Sequence, residues 1–303
     1  MTSLYDATAG YPEDGDVGDA EVDDAGYRQD RDVNRRSLLR IGLSAAVGVT
    51  AAAPATAPGA AAARRLSATT AHGPAPNTRF QVMAGPSSSP SGAPIRTNPT
   101  ARPWAGPAYH VRDVLPDAPA NAIALTIDDG PHPTYTPMML DVLRQYNVKA
   151  TFSMIGTNVQ GYPEVARQVV AEGHTISNHS MYHPIPFNSL SPTAIHAEVA
   201  NAMNQIWDAT KKIPRLFRAP GGAWSPAVFA AIAAYDLVPI DWDVDPRDWT
   251  VPGIKQIENI LDTGVGGDIL LCHDGGGNRL ETVRAVNQVI PALLKRKLEF
   301  VTL

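Results

Sequence analysis

Cysteine is nearly absent: Cys272 is the only one in 303 residues. A lone thiol excludes an intramolecular disulfide framework and every multi-cysteine zinc or iron–sulfur site, so any metal must be held by histidine and carboxylate. A basic surplus is missing as well. The formal net charge is -5, with 25 Lys+Arg against 30 Asp+Glu. Ten of those acids fall between Asp6 and Asp32, and from Ile41 onward 20 acids face 20 bases. That balance lacks the clustered positive footprint of a nucleic-acid binder. Long apolar runs are also lacking. The stretch from Ile41 to Ala53 is too short to span a bilayer and is interrupted by Gly42 and Gly48, so no stable membrane insertion is expected. What remains, 44% apolar and 18% charged residues, is ordinary for a globular protein.

Organisation changes along the chain. Residues 1 to 33 are rich in Asp and Gly and poor in large aliphatics, which predicts disorder. Asn34 to Arg40 then carries Arg35 and Arg36 ahead of the apolar stretch, with small residues at Ala55 to Ala57 and Ala60 to Ala63. A basic, then apolar, then small-residue order is that of a secretory signal, and the paired arginines resemble the twin-arginine type. Residues 1–63 are therefore expected to be an acidic leader plus signal that exports the chain to the cell wall or beyond. Between Pro54 and Pro107 there are ten prolines and no acid, so 64–107 is expected to be an extended linker. The folded domain is expected over 108–303, as a monomer.

Within that domain short apolar runs alternate with amphipathic segments. Strands are predicted at Ile123–Ile127, Ala150–Ile155, Thr175–Asn178, Leu216–Arg218, Leu237–Trp242, Asp268–Cys272 and Glu299–Leu303. Helices are predicted at Pro163–Glu172, Pro192–Lys212, Pro226–Tyr235, Pro252–Leu261 and Arg279–Leu294, with Ser225 as an N-cap. This alternation predicts an α/β fold, a distorted (β/α) barrel of about seven parallel strands, with an open doubly wound sheet as the alternative.

The polar residues with chemical potential fall just past the strand ends, where parallel barrels build active sites. They are Thr126-Ile127-Asp128-Asp129-Gly130, His179-Ser180-Met181-Tyr182-His183, Arg218-Ala219-Pro220-Gly221-Gly222, Asp245-Pro246-Arg247-Asp248-Trp249 and Leu271-Cys272-His273. Two histidines four apart suit one ion, and with one carboxylate they leave a position open for water; alone, the pair fits two unrelated structural histidines equally well. Adjacent Asp128 and Asp129 at the tip of an apolar strand need positive neighbours to stay ionised.

Taken in order, these five motifs resemble those of the polysaccharide deacetylases with the NodB homology domain, carbohydrate esterase family four. The resemblance covers the folded part and none of the first hundred residues. It implies that Asp129, His179 and His183 bind a divalent metal, usually Zn²⁺ with Co²⁺ or another ion also suitable. Asp128 would be the general base, held by Arg218, and His273 the general acid, its pKa raised by Asp248. A backbone N–H near Gly221 would stabilise the oxyanion, and Trp249 with Leu271 would pocket the acetyl methyl. The implied reaction removes N-acetyl groups from a GlcNAc-containing polysaccharide such as peptidoglycan or chitin and releases acetate. O-acetyl ester cleavage on a polysaccharide such as xylan is the second reading, and a catalytically silent carbohydrate-binding module the third.

Other polar residues are expected to be structural: His132 on a surface loop, His174 in the scaffold, His110 and His196 in solvent or packing, and Asp241, Asp243 and Asp274 in hydrogen bonds. Because alternate strand residues point to opposite faces, Cys272 should face away from the site that Leu271 and His273 share.

Overall fold

The computed structural model describes residues 97–98 and 104–303. The leader and signal expected over 1–63 lie outside the described residues, as does the linker apart from 97–98 and 104–107. In chain order the elements are α1 (Val111–Val114), β1 (Ala122–Asp128), α2 (Tyr135–Gln145), β2 (Thr151–Met154), α3 (Gly156–Gly161), α4 (Pro163–Ala171), β3 (Thr175–Asn178) and α5 (Pro192–Thr210). They continue with β4 (Leu216–Phe217), α6 (Pro226–Ala233), β5 (Val238–Pro239), α7 (Ile254–Leu261), β6 (Ile269–His273), α8 (Leu280–Lys295) and β7 (Glu299–Phe300).

All ladder pairs are parallel, in the order β5-β4-β3-β2-β1-β6, with β7 also pairing β1. The expected Leu237–Trp242 strand is reduced to Val238–Pro239 because the chain changes partner there. Ile240 bridges Ala108, and the next residues cross to β6, where Val244 bridges Leu270. Bonds from Asp243 N–H to Ile269 O (3.0 Å) and from Leu271 N–H to Val244 O (2.9 Å) join the two ends of the sheet. The sheet is thus a distorted barrel rather than an open, doubly wound layer.

Side-chain alternation sorts the strands into two faces. On β1, Ile123, Leu125 and Ile127 join Phe152, Met154, Leu270 and Cys272 in the main apolar cluster with the outer helices. Ala122 and Ala124 instead meet Leu216, Ile240 and Ile269 in a second cluster within the barrel. Following that inner face up the strands, small apolar residues give way to Thr126, Ser153 and Ser177, then to Asp128 and Arg218, all buried. Cys272 lies on the opposite face from His273, wholly buried, with Sγ toward Thr126 O.

Outside the barrel, α5 presents Ile195, Val199, Met203 and Ile206 at helical spacing, all fully buried; each contributes about 1.5–3 kcal/mol of transfer free energy. Ser191 and Ser225 cap α5 and α6 by accepting the N–H of Ala194 and Val228. The sequence pattern missed α2, which has no such hydroxyl cap. Instead the half-buried His132 accepts the N–H of Thr134 and Tyr135 at Nδ1 and stacks on Tyr135. It also missed the six-residue α3, too short to show a period. Among the described residues no helix is long and apolar enough to cross a membrane.

Candidate active site

The site lies at the C-terminal ends of β1, β3, β4 and β6. Strand register sets its first pairing, since Asp128 on β1 lies opposite His273 on β6. The loops after these two strands touch backbone to backbone. A Cβ on Gly275 would sit 2.1 Å from Asp129 O, so that position admits only glycine, and one on Gly130 would sit 2.4 Å from Asp274 Oδ1 and displace that carboxylate.

Asp128 is 2% exposed and Arg218 wholly buried. One Arg218 Nη donates to Asp128 Oδ1 and Thr126 Oγ1, both at 2.8 Å, and the other to Asp241 O at 2.8 Å. The guanidinium also lies over the Trp242 ring, 5.6 Å from its centroid. Arg218 thereby neutralises Asp128 and fixes one carboxylate oxygen, while Oδ2 lies 3.7 Å from His179 Nε2. A buried charge without such a partner would be strongly disfavoured.

Asp129, His179 and His183 converge, with one ligand atom from each mutually within 4.8 Å. Asp129 Oδ1 lies 3.5 Å from His179 Nε2 and 3.3 Å from His183 Nε2. An ion with ligand bonds of about 2.0–2.1 Å at tetrahedral angles sets neighbouring ligand atoms about 3.3 Å apart. His179 Nδ1 contacts Arg218 O at 2.8 Å, so Nδ1 carries the hydrogen and neutral Nε2 presents a lone pair to Asp129. Asp129 Oδ1 is buried with no hydrogen-bond partner. Lone pairs facing one another across such distances require a cation or an added proton between them, so the donor set fits a divalent metal.

Electrostatics of the ion-free cluster agree. Burial opposes ionisation of Asp129, but the neighbouring imidazoles of His179, His273 and His183 outweigh it and hold the carboxyl well below its ordinary range. Burial also opposes the charged form of His179, yet Asp128 and Asp129 raise its pKa. His183 is pushed down to about 4, by burial and then by repulsion from His179. One imidazole takes the available proton and excludes it from the other, as expected of two coupled groups in contact. Asp129 and His183 both have left-handed backbone, φ 73° and 53°. Such conformations cost non-glycine residues about 1–2 kcal/mol each and persist where the surroundings impose them.

His273 and Asp248 form a separate pair. Asp248 Oδ1 accepts from His273 Nδ1 at 2.7 Å, and Oδ2 accepts the His273 N–H (2.9 Å) and the Thr282 hydroxyl (2.8 Å). Burial opposes protonation of His273, but the charge and hydrogen bond of Asp248 raise its pKa to about 9; Asp248 in turn is lowered despite its burial. His273 therefore carries a proton on Nε2 at neutral pH.

The remaining predicted positions are less converged. Leu271 is buried on the same face of β6 as His273, whereas Trp249 is 37% exposed and faced by the Arg247 guanidinium, 5.3 Å from its ring centroid. Gly221 is exposed with φ 60°. Asp245 accepts the Arg247 N–H and Asp241 the Trp224 indole N–H. Asp274 accepts the Thr136 hydroxyl at 2.6 Å; burial and the charges of Asp129 and Asp128 raise its pKa to about 7. His174 Nδ1 accepts the Ala150 N–H and His196 contacts the Tyr235 hydroxyl. Among the supports that escaped sequence reasoning are Asn158, which donates to Asp129 O at 2.7 Å, and Thr282 on Asp248. Neither belongs to a spaced motif. A cavity of about 470 Å³ lies elsewhere, at the barrel base near Thr175, Leu216 and Val238, which begin their strands. It is lined mostly by aliphatic residues, with His174 at its wall, and by none of the residues expected to bind metal or act in catalysis.

Comparison with known proteins completes the picture. The polysaccharide deacetylase family model matches residues 116–240. A peptidoglycan-N-acetylglucosamine deacetylase of Bacillus cereus is 45% identical over 183 residues, which are 59% of this chain and 85% of that protein. A chitooligosaccharide deacetylase of Bradyrhizobium sp. is 42% identical over 191 residues, 59% of this chain and 87% of its own. A solved peptidoglycan N-acetylglucosamine deacetylase, in complex with 4-naphthalen-1-yl-N-oxidanyl-benzamide, has 30% identity and a TM-score of 0.59, covering 61% of this chain and 88% of the other.

Proposed function

The chain belongs to the polysaccharide deacetylase family, and on that premise we propose that it hydrolyses the N-acetyl groups of a GlcNAc-containing glycan in a metal-dependent reaction. The carrying observation is that one barrel rim holds a three-ligand His/Asp cluster beside a carboxylate and an imidazole, each pinned by its own buried partner. Relatives named for peptidoglycan N-acetylglucosamine and for chitooligosaccharide support this substrate class.

Asp129, His179 and His183 would hold the ion, and nitrogen and oxygen donors without thiolate suit Zn²⁺ as well as Co²⁺. Such an ion, when bound, supplies Lewis acidity toward water and toward the acyl oxygen. Asp128 takes the proton of the attacking water at Oδ2, because Arg218 occupies Oδ1. Oxygen adds to the acetyl carbon, and the Gly221 N–H donates to the developing oxyanion. His273 then delivers its Nε2 proton to the nitrogen as the C–N bond breaks, since an amide nitrogen leaves poorly unprotonated. Acetate and an amino sugar result. Leu271 and Trp249 would border the methyl.

Export by a twin-arginine-type signal is part of the proposal, supported by Arg35 and Arg36 ahead of the apolar and small-residue segments. The test of function is acetate release from acetylated peptidoglycan, chitooligosaccharides and acetylated xylan, before chelation, after it, and after Zn²⁺ is restored. Release from the GlcNAc substrates that is lost and regained with the ion is expected. Release from xylan alone would favour the O-acetyl reading, and no release from any substrate would leave only a binding module.

A further inference from the structure

The loop between the two metal-site histidines is held by a residue outside every motif, and we infer that Glu198, on α5, is the positioning residue that sets His179 and His183 for one ion. The inference rests on the metal reading above. Four consecutive backbone N–H groups in this loop go to side-chain oxygens. Ser180 N–H donates to Asn178 Oδ1 at 2.9 Å and His183 N–H to Ser180 Oγ at 3.0 Å. Those of Met181 and Tyr182 both donate to Glu198 Oε2, at 2.9 and 2.8 Å. Asn178 and Ser180 are local, so of these three acceptors only Glu198 belongs to another element, and it takes two bonds with one oxygen.

The same peptide units are fixed from the other side. Gly156 and Thr157, opening α3, donate their N–H groups to Ser180 O and Met181 O, both at 2.9 Å. The loop is therefore clamped between α3 and the Glu198 carboxylate. It needs a clamp because Ser180 and His183 are both left-handed, φ 66° and 53°, a region that non-glycine residues occupy only a few per cent of the time. An anion seated among successive backbone N–H groups stabilises such a turn. Tyr182, between the clamped amides and His183, is 65% exposed, so packing of its side chain does not fix the loop. Without Glu198, two amides lose their acceptor, and His183 loses one of the two clamps that aim it toward Asp129.

The experiment is Zn²⁺ affinity of the full chain by chelator competition, with the calorimetric melt of the ion-free protein alongside. Glu198→Ala should weaken Zn²⁺ binding by about 10–100-fold, the usual cost of removing a group that orients metal ligands, while the ion-free protein still melts cooperatively. Glu198→Gln keeps an oxygen at the same reach and should stay within about tenfold of the unsubstituted chain. Glu198→Asp keeps the charge but falls a methylene short, and should bind more weakly than Glu198→Gln. Unchanged affinity in Glu198→Ala overturns the positioning role. Should that variant not fold, the other two decide, and Glu198→Asp binding as tightly as Glu198→Gln overturns it. An unsubstituted chain that takes up no Zn²⁺ defeats the metal reading itself and this inference with it.

Discussion

Two His/Asp clusters stand at opposite ends of one barrel. Asp129, His179 and His183 lie at the rim, while His110, Asp243 and Asp268 lie by the start of β6, and each trio brings one ligand atom per residue within 4.8 Å of the others. Their surroundings differ. At the base, the His110 side chain is 58% exposed, its Nδ1 meets Asp243 Oδ2 at 3.1 Å, and Asp268 accepts the Val265 N–H. Solvent exposure and ordinary hydrogen bonds account for that trio. At the rim, Asp129 Oδ1 is buried and unpaired, and the Nδ1 contact to Arg218 O turns the lone pair of His179 toward it. The same residue types within the same radius thus make a surface ion pair at one end and a largely buried set of metal donors at the other. Desolvation makes the difference, because an unpaired buried carboxylate oxygen is costly and an exposed one is not.

The largest expected consequence is in turnover. Asp129→Ala, or chelation, should lower acetate release at least about a thousandfold, equivalent to several kcal/mol of lost charge stabilisation, while His110→Ala stays near the parent rate. Equal losses at the two ends would break the comparison. Next comes Asp128→Asn, expected to reduce kcat by about 10²–10⁴ while stoichiometric Zn²⁺ uptake persists. Loss of uptake as well would make Asp128 a ligand rather than a base.

A third prediction concerns pH. The general acid acts in its protonated form, so activity should persist at neutral pH and be lost as pH rises through about 9, the value to which Asp248 lifts His273. Asp248→Asn removes that lift, and the alkaline limb of the kcat profile should move down toward the ordinary imidazole range. An unmoved limb would assign it to another group. On an O-acetyl substrate, whose leaving group is better, His273→Ala should cost far less than on an N-acetyl one.

Smaller effects concern stability. Asp274 has a folded pKa near 7 against an unfolded value of 3.8, so between these pH values the folded chain holds a proton that the unfolded chain lacks. Stability from this group is greatest at low pH and declines as pH rises from about 4 to 7. Asp274→Asn, which mimics the neutral acid against Thr136, should flatten the pH dependence of Tm in that window. An unchanged slope would refute it. Smallest of all, His110→Ala should shift stability by at most about 1 kcal/mol in denaturant titration, as for exposed ion pairs.

Much of the site was legible because its residues recur at strand ends, and period-two alternation separates them from neighbours; Cys272 and His273 show this most simply. Helix α2 was not legible, since an imidazole rather than a hydroxyl caps its start. Asn158, Thr282 and Glu198 were hidden for a related reason: they act on backbone atoms or on a single carboxylate oxygen of distant segments. Many residue types can accept or donate such a bond, and nothing in spacing marks which one does.

By itself the sequence determined the parallel α/β alternation, the inner and outer faces of each strand, and the groups available at one rim, because these follow from local periodicity and side-chain chemistry. Only the tertiary structure decided that Val244 meets Leu270 to join the ends of the sheet, that the Arg218 guanidinium is shared among Asp128, Thr126 and the Asp241 carbonyl, and that one His/Asp trio is largely buried while the other is largely exposed. Those outcomes depend on which segments, distant along the chain, exclude water from one another, and burial of that kind is a property of the packed chain and not of any stretch within it.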